Sequence, residues 1–149
     1  MFEFTDIFDI IENNELILKI TQKYSGDNEM IPFYYYDIIR KVDNVTVGKI
    51  SIRISNNFHS YYNGHIGYEV FEEYRGNGYA HKASLMVLDV AQFHDMEFIY
   101  LTCDESNTAS YKTIEKLDAE LVEICDVPRE YLCWHESMER QRVYRLGLK

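Results

Sequence analysis

Two glycines one residue apart, in the run Arg75-Gly76-Asn77-Gly78-Tyr79-Ala80, are the residues of this chain whose type and spacing best suit chemistry. They stand between an apolar run at residues 66–71 and a segment with Ala80, Ala83, Ser84, Val87 and Ala91 on one helical face. Glycine takes positive φ without steric cost and lets backbone amides come close to a ligand. A strand, a glycine turn and a helix N-terminus together aim several N–H donors and the positive end of a helix dipole at one point. The chemistry this serves is anion binding, suited to phosphate. Two familiar phosphate loops do not fit. A nucleoside-triphosphatase loop ends in Gly-Lys-Ser/Thr, where this chain has Gly78-Tyr79-Ala80. A dinucleotide fingerprint needs a third small residue, where His81 stands.

The elements that must hold this loop follow from periodicity. Residues 66–71 read as a strand, and 80–94 as a helix whose small-residue face packs on a sheet. Residues 97–103, with Phe98, Ile99, Tyr100 and Leu101 in succession, read as a strand buried on both faces. Residues 66–103 thus make a βαβ unit. Upstream, Thr5 is placed to cap a short helix with Ile7, Phe8, Ile10 and Ile11 as its apolar stripe. Strands are expected at 16–24, 33–42 and 45–54, the last two joined by a two-residue turn at Asp43-Asn44. Residues 55–63 read as a polar and aromatic loop, available as a pocket wall. Downstream, Asn107 caps a helix at 108–117, and a strand runs from 120 to 127, closed by Pro128. Residues 128–142 read as irregular and 143–148 as a last alternating strand. The sum is a mixed α/β (α+β) fold, a single domain over residues 1–149, with about seven mostly antiparallel strands and about four helices.

The run from Gly67-Tyr68 to Tyr74-Arg75-Gly76-Asn77-Gly78-Tyr79-Ala80 resembles the coenzyme A pyrophosphate loop of the GNAT superfamily of N-acetyltransferases, most like its ribosomal-protein-acetylating branch. The likeness is strongest over residues 64–119. It implies a sheet splayed at the coenzyme A site, acetyl-coenzyme A as co-substrate without a metal, and transfer of acetyl to a primary amine of a small molecule or a peptide N-terminus. By the same resemblance Arg75, Gly76, Asn77, Gly78, Tyr79 and Ala80 hold the pyrophosphate. The pantetheine arm pairs with the free backbone edge at Val70 and Phe71, and Asn107 caps a helix beside it. Many relatives carry a Tyr seven residues after that Asn as proton donor to the leaving thiolate; here the position is Ile114. Ser110 matches a Ser that faces the sulfur in the ribosomal branch, and Tyr111 is the alternative. Glu69 is the expected general base, with Tyr68 and Val70 on the opposite face of the strand. His59 and His65 stand second, since His is the commonest proton-transfer side chain at neutral pH. The missing Tyr leaves a module that holds acyl-coenzyme A without turnover as the alternative, and an acyl group longer than acetyl as another.

The chain carries 25 Asp and Glu against 15 Lys and Arg, a net charge of −10. That weighs against a nucleic-acid partner, which demands a basic footprint. Glu69, Glu72 and Glu73 flank the glycine loop and would draw in a cation. A cationic acceptor is therefore expected: a polyamine, an amino sugar, or the N-terminus of a basic segment. No run approaches the ~18 apolar residues of a membrane span, and the first residues lack the basic flank and apolar core of a signal peptide. A cytoplasmic monomer or homodimer with no membrane partner is expected. Cys103, Cys125 and Cys133 are odd in number without Cys-x-x-Cys spacing, which argues against a disulfide framework or a zinc site.

Overall fold

The computed structural model describes residues 2–148. Alternation builds the first sheet. Leu16 and Leu18, then Tyr34, Tyr36 and Ile38, then Ile50 and Ile52 are all essentially sealed from solvent, while their neighbours face outward. These runs form β2 (Leu16–Tyr24), β3 (Phe33–Arg40) and β4 (Val45–Arg53). Tyr34 stands opposite Ile52 and Tyr36 opposite Ile50, so each cross-strand pair adds to one buried face. With β1 (Ile10–Glu12) and β5 (Ile66–Val70) they make an antiparallel sheet in sequence order, β5 at one edge. β4 and β5 approach so closely that a Cβ on Gly48 would fall 2.2 Å from the Glu69 carbonyl oxygen. Only glycine fits there.

A helix, α1 (Phe58–Asn63), links β4 to β5. After β5 comes a single 3₁₀ turn at Glu72–Tyr74, the glycine loop, and α2 (Tyr79–Phe93). Ala83, Val87, Val90 and Ala91 bury one face of α2 in the core. The rest of the chain is β6 (Phe98–Asp104), α3 (Thr108–Glu115), β7 (Glu120–Cys125) and β8 (Gln141–Gly147). The last three strands form a second antiparallel sheet in the order β6-β8-β7. The expected mixed, mostly antiparallel fold is the observed one.

Four expectations need correction. The N-terminal helix is absent: Ile10 and Ile11 enter β1, with Ile11 facing Leu18. A helix of two turns is marginal alone, whereas β-branched residues suit a strand. The segment expected as a loop at 55–63 contains α1, because Asn57 accepts from the Ser60 N–H while Ser60 accepts from the Asn57 N–H, a complete capping box. The β3–β4 turn spans residues 41–44 rather than two, with Asn44 alone taking the left-handed conformation (φ 61°). The strand at 98–104 is not buried on both faces. Ile99, Leu101 and Cys103 are buried, but Phe98, Tyr100 and Thr102 are half-buried. The outward aromatics are covered by other rings and cations: Tyr61 packs edge-on to Tyr100 at 4.9 Å, and the Arg145 guanidinium lies 4.2 Å over Phe98. The totals are eight strands and three α-helices among the described residues rather than about seven and four.

β5 and β6 share no ladder. They are stapled at one end, where His65, the residue before β5, donates its N–H to the Tyr100 carbonyl (2.7 Å) and the Tyr100 N–H donates back to His65 Nδ1 (2.9 Å). Beyond that staple no strand pairs with the outer edge of β5 among the described residues.

Candidate active site

The free edge of β5, the glycine loop, the first turn of α2 and one face of α3 enclose a cleft of about 590 Å³. Register decides which backbone groups of β5 point into it. Phe71 N–H donates to Val47 on β4, and Arg53 N–H donates to His65; Glu69 and Gly67 stand opposite Lys49 and Ser51 between them. In an antiparallel ladder, hydrogen-bonded and non-bonded pairs alternate. Gly67 and Glu69 therefore spend their groups on β4, and the amides of Tyr68 and Val70 face the cleft. The Val70 carbonyl accepts Arg75 Nε at 3.0 Å.

The loop acts through backbone. Gly76 (φ 90°) and Gly78 (φ 73°) both take positive φ, where a side chain costs energy. Gly78 is the N-cap of α2 and offers no side chain to the helix end. The first helical bond is from Lys82 N–H to the Gly78 carbonyl (3.0 Å), so the N–H groups of Tyr79, Ala80 and His81 precede it without a chain partner among the described residues. These residues line the cleft. Tyr79 contributes its N–H alone, since its ring is buried in the core. Asn77 does not line the cleft: its side chain donates to Tyr74 (3.0 Å) and its carbonyl accepts Lys82 Nζ (3.2 Å), bracing the loop. Phe71 also lies outside it.

Across the cleft, Asn107 caps α3 by accepting from the Ser110 N–H (3.2 Å). Ser110 Oγ and Tyr68 Oη share a hydrogen bond of 2.9 Å. Burial is the main cause that pushes the Tyr68 phenol above its ordinary pKa, with the Ser110 hydrogen bond acting the other way; the phenol is a proton donor at neutral pH. Cys103 lies beside Ser110, and burial raises its thiol pKa too. Tyr111 points elsewhere: its ring carries the Arg142 guanidinium at 4.0 Å and does not line the cleft. Glu69 is exposed and borders the cleft. His65 is fully buried, and both its nitrogens are used. Nδ1 accepts from Tyr100, so Nε2 carries the proton and donates to Ser55 (2.8 Å). Burial drives its pKa down to about 4. It is a neutral staple, unavailable as a base. His59 Nδ1 accepts the Leu132 N–H (3.0 Å) and lies away from this cleft.

Electrostatics within the cleft run against the whole chain. Arg75, His81, Lys112 and Lys116 line it, with Glu69 as the carboxylate. A local cationic lining under a net charge of −10 suits a multiply charged anion. Sequence reasoning missed Tyr68, Lys112 and Lys116. Lys112 on α3 and Lys116 at its C-cap sit four residues apart, on one helical face, and that spacing was available as a signal. Tyr68 was set apart from Glu69 by alternation, yet alternation places it on the α2 side with Ile66, the side that faces Ser110. Among the described residues, no group of three or more His, Cys, Asp or Glu is arranged to hold a metal ion. No helix among them is long and apolar enough to cross a membrane.

Comparison with known proteins agrees with this arrangement. The model of the acetyltransferase (GNAT) domain matches residues 6–120, which include β1 through α3 and the whole cleft. No curated protein matches the sequence. Among solved structures, the fold is similar to the acetyltransferase (GNAT family) from Bacillus anthracis, with 21% identity, 76% of this chain and 66% of that one covered, and a TM-score of 0.59. It is similar to the ribosomal-protein-S5-alanine acetyltransferase from Vibrio fischeri (19% identity, 78% and 62% covered, TM-score 0.61). It is also similar to the microcin C7 self-immunity acetyltransferase MccE, solved with acetyl-CoA and AMP (16% identity, 77% and 61% covered, TM-score 0.57). The chain spans about two thirds of the length of these three structures. The family match and the splayed cleft lead to one conclusion: the chain belongs to the acetyltransferase (GNAT) domain family, whose members are acyl-CoA-dependent N-acetyltransferases with acetyl-CoA as co-substrate.

Proposed function

We propose that this chain moves acetyl from acetyl-coenzyme A to the primary amine of a small molecule or a peptide N-terminus. The observation that carries the reading is the continuity of one cleft. Free N–H groups at the α2 N-terminus, unpaired amides on the β5 edge and the Tyr68–Ser110 pair all line it. That is the sequence of contacts a pyrophosphate, a pantetheine arm and a thioester require, in order. Gly76, Gly78, Tyr79 and Ala80 cradle the pyrophosphate through backbone, with Arg75, Lys112 and Lys116 supplying positive charge. Tyr68 and Val70 pair with the pantetheine amides.

The amine arrives protonated and loses its proton to Glu69, directly or through a water. The neutral nitrogen attacks the thioester carbonyl carbon, the C–S bond breaks, and the sulfur leaves with the bonding pair. As the tetrahedral adduct collapses, the attacking nitrogen gives its second proton to solvent and becomes the neutral amide. Ser110 gives the thiolate a proton and is reprotonated from Tyr68, which regains its own proton from solvent. Glu69 sits exposed on the cleft border with Glu72 and Glu73 nearby, which supports a cationic amine as the incoming group. The MccE structure was solved with acetyl-CoA, which supports the donor. The test is amine-dependent release of free coenzyme A across an amine panel. Turnover with formation of the N-acetyl product is expected. Tight coenzyme A binding with no turnover on any amine would instead mean a coenzyme-binding module.

A further inference from the structure

On the outer side of β4, away from α2, Arg53 is a cation without an anion. Its Nη1 donates to the Gly64 carbonyl (2.9 Å) and the Asn63 carbonyl (3.5 Å). Its Nε and Nη2 have no hydrogen-bond partner, and no carboxylate pairs with it, among the described residues. The ionisable groups that act on it are Tyr131, Cys133 and Tyr35, none of them an Asp or Glu. Arg53 is half-buried, its unpaired nitrogens keep contact with solvent, and desolvation is the main cause that pulls its pKa down. Arg53, His59, Asn63, Tyr131 and Cys133 line a hollow of about 70 Å³. Because His59 Nδ1 accepts the Leu132 N–H, neutral His59 has its proton on Nε2, a second donor at this hollow. Glu29 also lines it and forms no ion pair with Arg53. The guanidinium packs against Gly67, where an added Cβ would meet Arg53 Nη2 at 3.2 Å, and Gly67 shares its face of β5 with Glu69, which borders the reaction cleft. Gly67 precedes Tyr68, and from Gly67 to Glu69 is two residues of strand, about 6.6 Å.

We infer that Arg53 and His59 form a subsite for a carboxylate on the acceptor, so that the acceptor is a zwitterion whose carboxylate lies several bonds from the amine, as in an ω-amino acid or a short peptide. A guanidinium holding a carboxylate uses two parallel N–H donors, and Nε and Nη2 are the free pair. The hollow is large enough for a carboxylate group and too small for a whole acceptor, which leaves the amine in the larger cleft beside Glu69. This rests on the acetyl-transfer reading of that cleft.

The test uses matched amines that differ only in carboxylate against carboxamide, drawn from α-amino acids, ω-amino acids and dipeptides, with aminoalkyl phosphates as a third arm. The wild-type protein should favour the carboxylate by roughly 10- to 100-fold in kcat/KM, the range for hydrogen bonds to a charged group. Arg53→Gln should bring each pair near parity and Arg53→Lys should restore part of the preference. Arg53 also supports the Gly64 and Asn63 carbonyls, so Cys133→Glu serves as a second variant. It places a carboxylate in the hollow, leaves those bonds in place, and should abolish the preference. Parity in the wild type while carboxamides turn over would overturn the subsite and leave acetyl transfer standing. A preference for phosphates over carboxylates would overturn the carboxylate assignment. If no amine turns over, calorimetric titration of the same pairs still reads Arg53. Carboxylate binding that is lost in Arg53→Gln keeps the subsite and sinks the transferase reading, and equal binding of both members of each pair sinks the subsite.

Discussion

Replacing Ser110 with alanine removes one hydroxyl and leaves the fold around it intact. The Asn107 cap takes the Ser110 backbone N–H, which alanine keeps. What disappears is the 2.9 Å bond to Tyr68, worth about 0.5–1.5 kcal/mol net in stability. The kinetic effect should be far larger. Loss of a general acid costs about 10²–10⁴ in rate, or roughly 3–5 kcal/mol of activation free energy. It should fall on kcat with little change in coenzyme A affinity, because the hydroxyl acts only as sulfur takes up charge. Tyr68→Phe should show a loss of similar kind. If the two hydroxyls work as one relay, the double variant should lose little more than the worse single variant. Tyr111→Phe should be neutral, since that ring packs under Arg142 outside the cleft. The assays are thiol release at saturating acetyl-coenzyme A and calorimetric titration of coenzyme A. An unchanged kcat in Ser110→Ala refutes the assignment. A loss in Tyr111→Phe in its place would put a different residue on the sulfur.

Other outcomes follow from the same geometry. At Gly78, φ is 73° and an added Cβ would meet only Lys82 Cε at 3.8 Å. Gly78→Asp should therefore stay folded at a backbone cost of about 1–2 kcal/mol, while coenzyme A affinity, read by calorimetry, falls at least about tenfold as charge-assisted bonds are lost. Gly48→Ala should destabilise by about 1–3 kcal/mol or more in denaturant unfolding, because the new Cβ would sit 2.2 Å from the Glu69 carbonyl oxygen. His65 has a folded pKa of about 4, below its unfolded value near 6.5. The unfolded chain thus binds more protons between these limits, and stability is fully present above about pH 6.5 and lost as pH falls toward 4. The loss from this group is about 3 kcal/mol, and urea midpoints of wild type and His65→Gln across that window should converge as pH drops.

Much of this molecule was legible from its residues. Alternation at Tyr34, Tyr36 and Ile38, and at Ile50 and Ile52, fixes which face of the sheet is buried, and a one-residue error would have reversed it. The glycine pair gave the helix start, because positive φ at Gly76 and Gly78 is a local demand that no distant contact needs to supply. Features set by distant partners were harder to see. Nothing near Ile10 and Ile11 reveals that β2 lies waiting to pair with them. The short α1 depends on a side-chain and backbone exchange between Asn57 and Ser60, which periodicity over six residues cannot detect. In the site, Tyr68 meets Ser110 across 42 positions of sequence, and the role of His65 as a staple depends on Tyr100. Both are products of packing, and a list of residue types does not contain them.

The most direct measurement is a crystal structure with coenzyme A bound. The pyrophosphate should accept hydrogen bonds from the N–H groups around Gly76, Gly78 and Ala80. The pantetheine should pair with Tyr68 and Val70, and the sulfur should lie within hydrogen-bonding reach of Ser110 Oγ. Coenzyme A seated away from the β5 edge, or a sulfur out of reach of both Ser110 and Tyr68, would contradict the proposed transfer.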